Sequence, residues 1–171
     1  SSDVCSSDLV SRQWSWSYFD HPPLTFWISR SIWELFGSNN IALVRLPFVL
    51  MGTASAWLIY KITQKSYGTT AGLWALAWFS IAPFFLLSAG HFVVPDGPLN
   101  LALLITISLL LPGLLNPSNP ISIWRTVVAG LVYAVALASK YQALALVLSL
   151  AGFHFANRHA RERLIGNIPL T

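Results

Sequence analysis

Two acidic residues stand where charge is disfavoured. Tyr18-Phe19-Asp20-His21-Pro22-Pro23-Leu24 places an acid and an imidazole directly before a double proline, between very apolar segments, and Val94-Pro95-Asp96-Gly97-Pro98-Leu99 repeats the arrangement of an acid beside proline. A carboxylate at a membrane edge is costly unless a metal, a cation or a polar substrate meets it. Two such acids, each at the entrance of an apolar helix, point to one polar site at a membrane surface. For Asp20 a plainer role is open as well: Asp ahead of Pro commonly caps a helix, and spacing alone does not separate the two.

Composition says what must position these acids. The chain is 55% hydrophobic and only 9% charged, whereas a soluble domain is about 25% charged. Mean hydropathy is +0.61. Eight Trp and ten Phe supply anchors of the kind that gather at bilayer edges. The expectation is an all-α, polytopic integral membrane protein. A net charge of +4 calls for no nucleic acid, because Lys and Arg at cytoplasmic helix ends give a basic balance in such proteins. Residues 1–9, Ser1 to Leu9, match in order the translation of a common sequencing-adapter string and are read as an artefact outside the fold. Cys5, the one cysteine, falls inside that stretch, so cysteine usage is silent about redox compartment. The chain is accordingly read as a fragment.

Apolar runs follow from Ile41 to Tyr60, Ala71 to Gly90 and Gly97 to Leu115, each close to the roughly 20 residues that cross a hydrocarbon core. The first ends in a polar turn, Thr63 to Gly68. Ile123 to Ser139 and Tyr141 to Ala156 are shorter and flank Lys140, so a tight hairpin is expected there. One long segment with an embedded lysine is the alternative, disfavoured because a lysine at the bilayer centre costs at least about 2.5 kcal/mol. The pattern predicts about five transmembrane helices. With the end of the first run cytoplasmic, Lys61, Lys65, Arg125, Arg158, Arg161 and Arg163 fall inside; Arg12, Arg30, Arg45 and Lys140 fall outside with Asp20 and Asp96.

The stretch from His21 to Gly37 is too short and mixed to span. Pro22 and Pro23 suit a first helical turn, where missing N–H groups cost nothing. Leu24, Trp27, Ile28, Ile32, Leu35 and Phe36 recur at helical spacing. This predicts an interfacial helix along the membrane surface, ended by Gly37, with Trp27 and Trp33 as interface anchors.

The Tyr-Phe-Asp-His-Pro-Pro-Leu block, a helix ending Leu35-Phe36-Gly37, then Val44-Arg45-Leu46-Pro47, Val94-Pro95-Asp96-Gly97-Pro98-Leu99 and Ala138-Ser139-Lys140-Tyr141 resemble, in order and spacing, membrane glycosyltransferases of the protein O-mannosyltransferase and aminoarabinose lipid A transferase superfamily. The resemblance covers nearly everything after Leu9. It implies a partial C-type glycosyltransferase fold over residues 10–171: an outer loop with its interfacial helix over 10–40, transmembrane helices over 41–156 and a cytoplasmic loop over 157–171. It implies transfer of a hexosyl or pentosyl group from a polyprenyl-phosphate donor to a lipid, protein or glycan acceptor at the outer face, which is the periplasmic face of a bacterial inner membrane, the placement expected here, or the lumen in a eukaryote.

Residue roles come with the same resemblance. Asp20 and Asp96 match acids beside the donor phosphate, the candidate catalytic pair. Some relatives bind a divalent cation there, for which Asp20 and Asp96 offer oxygens and His91 a nitrogen; a helix-end role for His91 stands beside that. His21, Arg45 and Lys140 are candidate substrate contacts. Arg forms a bidentate fork on phosphate, and Lys acts as a point charge; snorkelling to the interface is the alternative for Arg45 and Lys140. One departure matters. The acid best placed as general base lies, in the family, in a loop upstream of the Asp-His-Pro-Pro block, which this chain lacks, so the fragment alone is expected to be inactive. Other classes are a transporter, which would carry charges on broken helices at mid-membrane, and a non-enzymatic membrane protein, which would have no need of the two acidic motifs.

Overall fold

The computed structural model describes residues 22–36, 41–88, 92–115 and 121–156. Asp20, His21 and His91, together with the 1–9 stretch and the arginines of the last fifteen residues, lie outside the described residues. Among the described residues every regular element is helical, as expected.

Helix α1, Leu24–Phe36, opens with the Trp27 N–H donating to the Pro23 carbonyl at 3.0 Å. Pro22 and Pro23 thus precede the first turn, as the ring geometry favours. The helix buries its small polar side, Thr25 and Ser29, and leaves Trp33, Leu35 and Phe36 exposed. That inverts the amphipathicity of a water-facing helix and suits one that meets lipid with its apolar side.

Helix α2, Ile41–Tyr67, is longer than the sequence pattern suggested. Lys61, Lys65 and the expected polar turn from Thr63 remain within it. The turn shrinks to Gly68, whose φ of 93° only glycine adopts without strain. Helix α3, Thr69–Ile81, returns from there along α2. The backbones approach closely at Gly72: a Cβ there would stand 3.0 Å from the Tyr60 carbonyl oxygen. The second apolar run is not one rod. Ala82, held extended (φ −62°, ψ 122°) ahead of Pro83, ends α3, and a short α4, Pro83–Ser88, follows.

Helix α5, Asp96–Leu115, packs against both α2 and α6, Ile123–Ser139. The core lies at this junction, where Leu99, Ala102, Ala136 and Ala143 are buried and Leu103, Val132, Tyr133 and Leu137 pack around them. Small residues let helix backbones close up without a large side chain between them. Lys140 breaks the chain after α6 (φ −160°, ψ 137°), and a single 3-10 turn, η1, Tyr141–Ala143, leads into α7, Leu144–Ala156. The break falls where the sequence placed it. The tight hairpin does not form: α7 packs on η1 rather than back along α6, which makes Lys140 a corner.

Two helical segments, Ala42–Tyr67 and Asp96–Gly113, are long and apolar enough to cross a membrane; the others are shorter. Their most apolar windows are only 11% and 28% buried within the protein, so most of that apolar surface needs a solvent other than water. Helix hydroxyls make the same point. Thr53, Ser55, Thr106, Ser108, Ser139 and Ser149 each donate to the carbonyl four residues back at 2.7–2.9 Å, the satisfaction available where no water can reach. The apolar helices fit an integral membrane protein.

Candidate functional site

Asp96 is the first residue of α5, with the Leu99 N–H donating back to the Pro95 carbonyl at 3.2 Å. A carboxylate in that first turn faces the positive end of the helix dipole. Asp96 is 9% exposed. Its charge is met directly: Lys140 Nζ donates to Asp96 Oδ1 at 2.9 Å. The side chains keep 24% (Lys140) and 13% (Asp96) of their exposure, so the pair is sheltered but reachable.

The corner at Lys140 explains how a lysine comes to lie there. Its N–H still donates to the Ala136 carbonyl at 3.1 Å, closing α6, and its own carbonyl accepts from the Ala143 N–H at 3.1 Å, opening η1. The extended φ between those bonds turns the chain where an uninterrupted helix would have carried the ammonium onto an apolar flank. Ser139, wholly buried beside the corner, bonds its hydroxyl to the Val135 carbonyl at 2.8 Å.

The structure therefore brings together two of the sequence candidates, Asp96 and Lys140. Arg45 lies on the second turn of α2, partly buried. Asp20 and His21 are expected just before Pro22, which is buried against the helices, but themselves lie outside the described residues. Of the three residues expected to hold a divalent cation, Asp20 and His91 lie outside the described residues; Asp96, the one described, carries an ammonium on its Oδ1.

Spacing from Asp20 and Asp96 did not bring out Asn100. It lies one turn beyond Asp96, on the same side of α5, and its Nδ2 is buried without a hydrogen-bond partner. An amide left so costs about 1–3 kcal/mol. The signal was available: an Asn at i+4 from the acid, in an otherwise apolar helix. Tyr133 was also missed. Its hydroxyl donates to the Ala143 carbonyl at 2.8 Å, across the corner that holds Lys140.

The family model described as dolichyl-phosphate-mannose-protein mannosyltransferase matches residues 20–171. The chain belongs to that family. It is also similar to lipid A galacturonosyltransferase RgtD of Rhizobium johnstonii, with 28% identity over 142 residues that make up 80% of this chain and 29% of the relative. The chain thus spans under a third of that relative's length. No solved structure matches it significantly. Membership places the chain among membrane glycosyltransferases, as the Asp-His-Pro-Pro and Ser-Lys-Tyr motifs implied.

Proposed function

We propose that the whole protein of which this chain is part moves a sugar from a polyprenyl-phosphate donor to an acceptor at the outer face of a bacterial inner membrane. The observation that carries the reading is the Asp96–Lys140 pair, a sheltered charge couple at the end of two apolar helices in a glycosyltransferase-family chain. The name of the Rhizobium relative favours a glycolipid acceptor over a protein.

In such a transfer an acceptor hydroxyl oxygen forms a bond to the anomeric carbon while the bond from that carbon to the phosphate oxygen breaks. The proton leaves to a general base, and polyprenyl phosphate departs with the electron pair. Negative charge grows on the leaving phosphate, so a cation already in place contributes without reorganising. Lys140 is such a cation, and Asp96 keeps its ammonium at the polar end of the bundle when no phosphate is present. Arg45 is read as a second phosphate contact, with α2 and α5 beginning at the same face. Asp20 and His21 are read as completing the site from the loop before α1. The full topology is read as about five spans in this stretch, with the shorter helices completing their crossings alongside the remainder of the protein.

The test is transfer by the full-length protein in liposomes, with radiolabelled polyprenyl-phosphate sugars as donors and lipid A as acceptor. Label should move to lipid A from at least one polyprenyl-phosphate sugar, and Asp96→Asn should remove most of it. Transfer from a nucleotide sugar with no polyprenyl intermediate would sink the donor assignment. Label appearing on protein alone would sink the acceptor.

A further inference from the structure

We propose that Tyr133 is a positioning residue for the Asp96–Lys140 pair: it clamps the helix corner from which Lys140 reaches Asp96. The inference rests on the donor-site reading of that pair. Four bonds make one connected path. Tyr133 Oη donates to the Ala143 carbonyl at 2.8 Å. The Ala143 N–H donates to the Lys140 carbonyl at 3.1 Å, and the Lys140 N–H donates to the Ala136 carbonyl at 3.1 Å. Lys140 Nζ then donates to Asp96 Oδ1 at 2.9 Å.

The corner needs a clamp because its backbone leaves the helix there. One extended residue separates α6 from η1, and α7 does not lean on α6 to fix the angle between them. Tyr133 lies about two turns before the break, and Ala143 comes after it, so their bond spans the hinge from one rigid element to the next. Both belong to the packed junction with α5: Ala143 is buried in its core and Tyr133 packs against it. Ala143 has no exposure at all, so the carbonyl that Tyr133 holds belongs to the best-fixed residue of η1. A phenylalanine would fill the same space. What the hydroxyl adds is a direction, and that direction sets where the Lys140 side chain departs.

Lys140 has a long, flexible stem. Swinging the corner a little would carry the ammonium away from Asp96, and with it the charge meant for the donor phosphate. Tyr133 therefore acts on the site through Lys140 and touches no substrate.

The test uses the full-length enzyme and two readouts. In transfer assays Tyr133→Phe should raise the donor KM about five- to tenfold, the effect of one lost hydrogen bond, with kcat less affected. In a Lys140→Met background the same change should do nothing further, because the group being positioned is gone. An equal loss in both backgrounds would reduce Tyr133 to a general structural residue and overturn the proposal. The second readout needs no activity. In an Asp96→Cys/Lys140→Cys variant a short bis-thiol-reactive crosslinker should join the two positions, and adding Tyr133→Phe should lower the yield several-fold. An undiminished yield overturns the clamp whatever the transfer assay shows. If the yield falls but Lys140→Met has the wild-type donor KM, the clamp holds and the donor-site reading fails.

Discussion

Asp96 and Lys140, 44 positions apart, meet at 2.9 Å because one begins α5 and the other ends α6. Each residue is the polar terminus of an apolar helix, and the two helices pack along the core of small residues between them. The ion pair is therefore a consequence of antiparallel packing as much as of charge. Its shelter makes each member dependent on the other: two charges out of water are tolerable together and costly singly.

That dependence gives the first prediction. Lys140→Met and Asp96→Asn should each destabilise the folded protein by about 1–3 kcal/mol, less than for a fully buried pair because both groups keep some exposure. The double variant should recover part of that stability and none of the transfer activity. Thermal unfolding in detergent, read alongside transfer, checks it. Additive losses of stability in the double variant would mean that the two charges do not share an environment.

The second prediction concerns Asn100. Its Nδ2 is buried and unbonded, a state that apolar replacement relieves. Asn100→Leu should leave stability unchanged or raise it by about 1 kcal/mol, while weakening donor binding if the amide meets substrate beside Asp96. Donor titration and thermal unfolding of the same variant separate the effects. A stability loss with unaltered donor affinity would make Asn100 a packing residue.

Much of this was legible in the sequence. The acids beside prolines, the apolar runs and the break at Lys140 all follow from composition and local chemistry, and the family followed from the motifs that carry them. What hydropathy could not give was where helices end within a run. Lys61 and Lys65 looked like the close of the first helix, yet α2 continues to Tyr67, because lysine is a good helix former and only Gly68 forces the turn. The second run looked continuous, but Pro83 divides it, since an average over the apolar neighbours hides one proline whose ring pushes Ala82 out of the helical region. The pairing of Lys140 with Asp96 was out of reach for another reason. Both were placed on one face as separate members of a site, and no local signal says which cation a carboxylate will choose.

The third prediction tests the α2–α3 turn on which the placement of α3 rests. Gly72→Leu should destabilise by about 1–3 kcal/mol, since even a Cβ would press on the Tyr60 carbonyl at 3.0 Å. Gly68→Ala, with no steric neighbour but a φ of 93°, should cost about 1 kcal/mol through backbone strain alone. Equal tolerance of both changes would show that α3 does not pack on α2 as described.

The last prediction concerns which way the bundle faces. Tyr67, 81% exposed, marks the end of α2, and Tyr141, 63% exposed, marks the corner after α6. Lys61 and Lys65 flank the first of these, with Lys61 over the rings of Trp57 at 5.9 Å and Tyr60 at 5.7 Å. That combination of cation and aromatic belongs at an interface, and clustered lysine favours the cytoplasmic one. The corner instead offers a single lysine, paired with Asp96, against two at the end of α2, so the lysine balance leaves the corner facing outward. A cysteine placed at 141 in the full-length protein should therefore label with a membrane-impermeant reagent added to intact spheroplasts, and one placed at 67 only after the membrane is opened. The reverse pattern would put the Asp96–Lys140 pair on the cytoplasmic side, where a nucleotide sugar can reach it, and would remove the reason for assigning it a polyprenyl-phosphate donor.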